Sequence, residues 1–120
     1  MAFVAAPLSR TLYPSHDVGI IPRLEPKDPN AVLNYVWSWG DWLDIEGATA
    51  ASFTVAIDGV ADNALALDSQ AADAASPTGR SACGWFSGGT DGQDYLVRCR
   101  VVTAAGVTED RSFWLPVRRR

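Results

Sequence analysis

The chain is short of the residues that most chemistry needs. Its 120 residues include one histidine, His16, and two cysteines, Cys83 and Cys99. A catalytic triad requires a nucleophile, a base and a third group that orients the base. No serine or cysteine constellation accompanies His16, so the sequence is not expected to encode an enzyme, and no cofactor is expected. Two cysteines are too few for the disulfide framework of a small secreted domain. Both are expected to be free, buried thiols. Asp41, Asp44 and Glu46 are closely spaced hard oxygen ligands. They lack the EF-hand loop pattern, so they are expected to be a solvated acidic loop and no metal is expected.

A basic stripe is also missing. The net charge is −4, and Arg118, Arg119 and Arg120 supply three of the positive charges, so the rest of the chain carries −7. An acidic body of this kind argues against a nucleic-acid partner, which needs positive charge along the phosphates. No run approaches the ~18 apolar residues of a membrane span. The opening MAFVAAPLSR has no basic segment and is interrupted by Pro7, which makes a poor signal peptide. The expectation is a soluble protein made in a reducing cytoplasm, with no membrane partner.

What the chain does have is apolar content: 48% hydrophobic residues and five Trp, enough for a single domain to bury a core without metal or disulfide. The clearest pattern lies near the end. Tyr95, Val97, Cys99, Val101 and Thr103 alternate with Leu96, Arg98, Arg100 and Val102. That period of two puts one set inside and sends both arginines toward solvent. Ala104-Ala105-Gly106 supplies a turn, and Phe113, Leu115 and Val117 alternate on the far side. The result is a β-hairpin. Ahead of it, Gly88-Gly89-Thr90 leads to Tyr95 at the start of a strand, the position of the tyrosine corner in immunoglobulin-type sandwiches. This order of glycine, threonine, tyrosine and alternating valines resembles the final hairpin of fibronectin type III domains.

Earlier strands follow the same logic. In residues 31–39, Leu33, Tyr35, Trp37 and Trp39 share one face. Residues 40–47 read as an acidic loop with two hydrophobic plugs. Residues 50–57 place Phe53, Val55 and Ile57 together, and Asp58-Gly59 signals a turn. Residues 63–69 fit a short strand, while 68–75 fit a single helical turn equally well. Ser76-Pro77-Thr78-Gly79 reads as a loop. Residues 81–86 form a strand that turns Cys83 and Trp85 inward, or Phe86 if the register slips by one.

Residues 1–27 differ in kind. Pro7, Pro14, Pro22 and Pro26 recur too often for a helix or an interior strand, yet the segment is apolar. The domain reading is therefore an extended arm, 1–27, and an all-β immunoglobulin- or fibronectin type III-like sandwich, 28–120. Burying the arm's apolar side chains and ordering its backbone are comparable in size and opposite in sign. The arm is thus expected to lie across a neighbouring subunit or another protein; the plain alternative is an arm folded back on its own sandwich. Phe3, Leu8, Leu12, Tyr13, Ile20, Ile21 and Leu24 are its expected partner contacts. Trp42 and Trp114 join them as the tryptophans expected at the surface, which also leaves room for a carbohydrate- or cell-surface-binding module.

Three segments carry a closer resemblance. They are Asp28-Pro29-Asn30-Ala31-Val32-Leu33-Asn34-Tyr35 followed by Trp39-Gly40-Asp41-Trp42-Leu43; Phe86-Ser87-Gly88-Gly89-Thr90; and Thr103 through Phe113 running into the basic C-terminus. Together they resemble the phage fiber-tail adaptor family of tailed bacteriophages over roughly residues 28–120. The resemblance implies a virion structural protein of immunoglobulin-like fold that bridges tail or neck components and fibers. Its implied partners are other virion proteins and copies of itself, and its implied place is the virion, assembled in the host cytoplasm.

Overall fold

Alternating strands with one apolar face must pair their backbones and stack those faces, and the chain does both. The computed structural model describes residues 3–16, 19–58, 62–73 and 80–120. Among these residues are seven strands: β1 (Thr11–Leu12), β2 (Leu33–Ser38), β3 (Ala50–Asp58), β4 (Leu65–Ala72), β5 (Ser81–Gly88), β6 (Asp94–Thr103) and β7 (Thr108–Pro116). They form one sheet ordered β1-β2-β5-β4 and a second ordered β3-β6-β7. The order is compatible with the ABED and CFG sheets of a constant-type immunoglobulin sandwich. One departure stands out: β1 runs parallel to β2.

The core lies between the sheets. Tyr35, Trp37 and Trp39 meet Phe86, Val97, Cys99, Phe113 and Leu115 there. Tyr35 and Trp37 each place a ring within 5.4 Å of the Phe113 ring centre, and the Trp39 indole N–H donates to the Cys99 sulfur at 3.4 Å. Cys83 and Cys99 are both free and buried, and burial pushes the Cys99 thiol up to about 12. The β6–β7 hairpin has the expected register, with Tyr95 opposite Leu115 and Val97 opposite Phe113. Arg98 and Arg100 point outward, where they pair with Asp58 and Asp110.

Two expectations need correction, on residues 40–46 and on the arm, and two alternatives left open, on 63–75 and on the register of 81–86, are decided. Residues 40–46 are a helix, α1 (Gly40–Glu46), and not a loop; Gly47 closes it in the left-handed conformation, donating to the Asp44 and Leu43 carbonyls. Residues 68–72 continue strand β4, so no helical turn forms there. In β5 the inward set is Ala82, Gly84 and Phe86: a Cβ on Gly84 would meet the Phe86, Val55 and Leu67 side chains, and Trp85 lies outside the core. Finally, the arm lies along its own sandwich. The edges of β2 and β7 carry free backbone groups that need covering, and the arm covers them. The loop at 76–79, Gly59 and Val18 of the arm lie outside the described residues.

Candidate functional site

The site is built from the arm. Its far limb, residues 3–12, lies on β2. Thr11 and Leu12 pair with Val36 and Trp37. Asn34 donates to the Val4 carbonyl at 2.8 Å, and Arg10 donates to the Asn34 carbonyl at 2.9 Å. Its near limb, residues 22–27, lies on β7. The Trp114 N–H donates to Pro22, Leu24 donates back to Trp114, and Lys27 donates to Pro116. Each limb runs parallel to its host strand. Trp37 reaches Arg111 and Tyr35 reaches Phe113, so β2 and β7 are antiparallel across the core. The arm must therefore reverse between its limbs. It is a U-shaped clasp closing one flank of both sheets.

Two side-chain anchors hold the bend of the U. Arg111 donates to the Ser15 carbonyl at 2.7 Å. His16 stacks on Trp42 with ring centres 5.3 Å apart and planes 5° apart, while its Nε2 meets Glu46 at 2.7 Å. At the other end Lys27 is fully buried, and its ammonium donates to the Asp28 and Gly88 carbonyls. Burial lowers its pKa by desolvating the ammonium, an effect the Asp28 and Asp68 carboxylates partly offset. Asp94 ties arm to C-terminus by accepting from Arg23 and Arg118 at 2.8 and 2.9 Å. The hydrogen bond from Arg23 is the main reason its carboxyl sits below the usual range.

The clasp sorts the expected contact residues. Leu8, Tyr13, Ile20 and Ile21 stay exposed, Ile20 at 95% and Leu8 at 78%. Phe3 is half-buried. Leu12 and Leu24 face inward against the core. Trp42 is a correction: it is 2% exposed, packed edge-on against Trp39 and roofed by His16. Trp114 is half-buried, with its backbone bonded to the near limb. Trp42 therefore offers no open ring face for a sugar to stack on. The bend and β7 also frame a cleft of about 420 Å³ lined by Tyr13, Pro14, Ile20, Ile21, Asp110 and Arg111. Two acidic residues of α1 are engaged separately, Asp44 with Arg80 and Glu46 with His16.

Sequence reasoning missed the polar anchors Arg10, Asn34, Arg23, Lys27 and Arg111. A residue's partner many positions away leaves no periodic trace. The charges of Arg10, Arg23 and Lys27 within a largely apolar arm were a signal that the arm had fixed partners.

These features define a class: a two-sheet β-sandwich sealed along one flank by its own N-terminal arm, with apolar side chains on the arm's outer surface. The model of the podophage GP4 fiber-tail adaptor protein gp77 family matches residues 27–116, which takes in every strand from β2 to β7. The chain belongs to that family. No curated protein matches it closely enough to count as a relative.

Proposed function

We propose that this chain is a non-catalytic adaptor of a phage virion, joining tail or neck components to fibers by protein–protein contact after assembly in the host cytoplasm. The observation that carries the reading is the family match across the whole sandwich. The matched span begins at Lys27, so the reading of the arm before it rests on this structure. The arm supplies the contact surface: Leu8, Tyr13, Ile20 and Ile21 are large apolar side chains left in water, and clustered exposure of this kind marks interaction sites. The carbohydrate-binding alternative loses one of its two tryptophans, because Trp42 is buried under His16.

The test is incorporation. Ile20→Asp and Leu8→Asp change exposed positions, so the variants should fold normally and yet be depleted from purified particles. Full incorporation of the double variant, with fibers attached, would remove the arm from the contact surface.

A further inference from the structure

We propose that the outer edge of β3 receives an extended, uncharged polypeptide segment of another chain as an added strand, one of whose apolar side chains is seated in a cavity beside Val55. The inference rests on the flank opposite the arm and is independent of the virion reading.

On that flank the strands at the rims of the two sheets are β4 and β3. β4 is blunted by a register shift between Leu67 and Ser69 and by the charge of Asp68. β3 pairs regularly with β6 from Ser52 to Asp58, and residues 52–57 hold no charge and no proline. Rim strands usually carry such devices, because their free backbone groups recruit other strands. Along this run β3 carries none.

Gln70 shows which groups are on offer. Its side-chain amide reaches from β4 to β3, accepting from the Val55 N–H at 2.8 Å and donating to the Val55 carbonyl at 3.3 Å. Val55 therefore aims its backbone away from β6, and in an antiparallel ladder Phe53 and Ile57 do the same. No described residue bonds to those groups of Phe53 and Ile57. The Gln70 amide presents one carbonyl and one N–H, as the peptide group of a neighbouring strand does. The edge thus already holds one peptide-like group at its centre, with open places on either side.

What lies beneath sets the side chains of the occupant. A cavity of about 140 Å³ is lined by Phe53, Val55, Gln70, Ala72, Ala82 and Cys83. Apolar voids of this order hold a group the size of a benzene ring. A strand laid on β3 turns alternate side chains to the inner face. One branched aliphatic or aromatic side chain then enters as Gln70, which is exposed, swings aside. Charges on the segment would be set without partners against Phe53 and Ile57, which selects an uncharged sequence. Main-chain bonds along an edge, with seats for alternate side chains, are the chemistry of strand addition.

Amide hydrogen exchange of the full-length protein, read residue by residue, tests the proposal. The probes are capped peptides Thr-Val-Thr-Xaa-Thr-Val-Thr in which Xaa is Ala, Val or Leu. In the free protein the Phe53 and Ile57 amides should exchange fast and the Val55 amide slowly. Saturating peptide should slow Phe53 and Ile57, and affinity should rise roughly tenfold or more from Ala to Leu as three further carbons leave water. The Leu peptide N-methylated at alternate residues lacks the donors and should slow neither. Gln70→Ala should speed exchange at Val55 in the free protein and tighten peptide binding, since no amide has to be displaced.

Phe53 and Ile57 amides that no peptide of the series protects, or that the methylated peptide protects as well, would overturn the proposal. Equal affinity for the Ala and Leu peptides would overturn it too, because the cavity would then seat nothing. Protection that appears without peptide as the protein is concentrated would make a second copy the occupant, and would also overturn it.

Discussion

The hydroxyl of Tyr95 accepts the backbone N–H of Thr90, five residues upstream, at 2.9 Å. The same hydroxyl lies 2.8 Å from the Asp62 carboxylate, to which it donates. Tyr95 is fully buried, so its one oxygen fixes the loop between β5 and β6 and the approach to β4. Tyr95→Phe keeps the ring and removes both bonds. The expected loss is about 1–3 kcal/mol, read as a lower thermal midpoint with an unchanged far-ultraviolet spectrum. An unchanged midpoint would mean that the corner holds nothing together.

The glycines rank by what surrounds them. Gly88 sits at φ +75°, and a Cβ there would run into the Ala64 carbonyl oxygen. Gly84 has ordinary backbone geometry but faces Val55 and Phe86 side-chain atoms 3.0 Å from where its Cβ would be. Side chains can shift, whereas the Ala64 carbonyl is held by the Gly89 N–H. Gly84→Ala should cost about 1–3 kcal/mol by overpacking. Gly88→Ala adds backbone strain of ~1–3 kcal/mol to a harder clash and should cost more. Denaturant midpoints give the order directly, and a reversed order would refute this account of the β5 end.

Acid should loosen the protein below about pH 4. Asp94, hydrogen-bonded by Arg23 and Arg118, and Asp110, hydrogen-bonded chiefly by Arg100, both titrate below the ordinary value of 3.8. Asp62 is lowered by the Ala64 N–H and by Tyr95. A carboxyl with a depressed folded pKa contributes stability that is present above the unfolded value and lost as pH falls through the folded one. Stability should therefore be level above about pH 5 and decline from about pH 4 downward. Asp94→Asn should flatten part of that decline and free the near limb, which hydrogen exchange at Leu24 would report. An identical acid profile in Asp94→Asn would remove this ion pair from the clasp.

The parts of the fold that could be read in the sequence are those where side-chain period and backbone pairing coincide. The β6–β7 hairpin is one: alternation in residues 95–103 and 113–117 marks the inward faces, and Tyr95 announces the corner. In β5 the alternation is hidden, because Cys83, Trp85 and Phe86 are all apolar and the true inward set includes the side-chain-free Gly84. Helix α1 is hidden by its length, and only Gly47, its left-handed cap, hinted at it. The apolar character of the arm, which leaves Leu8 and Ile20 exposed, could be read from composition. Its course could not, because it is set by backbone groups on β2 and β7 and by lone anchors such as Lys27 and Asn34.

A density map of the intact phage particle tests the central claim most directly. The adaptor reading predicts this sandwich between tail or neck density and a fiber, with Leu8, Tyr13 and Ile20 of the arm buried against a neighbouring chain. Particles that carry tails and fibers but lack this chain, or hold it with the arm flank facing solvent, would contradict it.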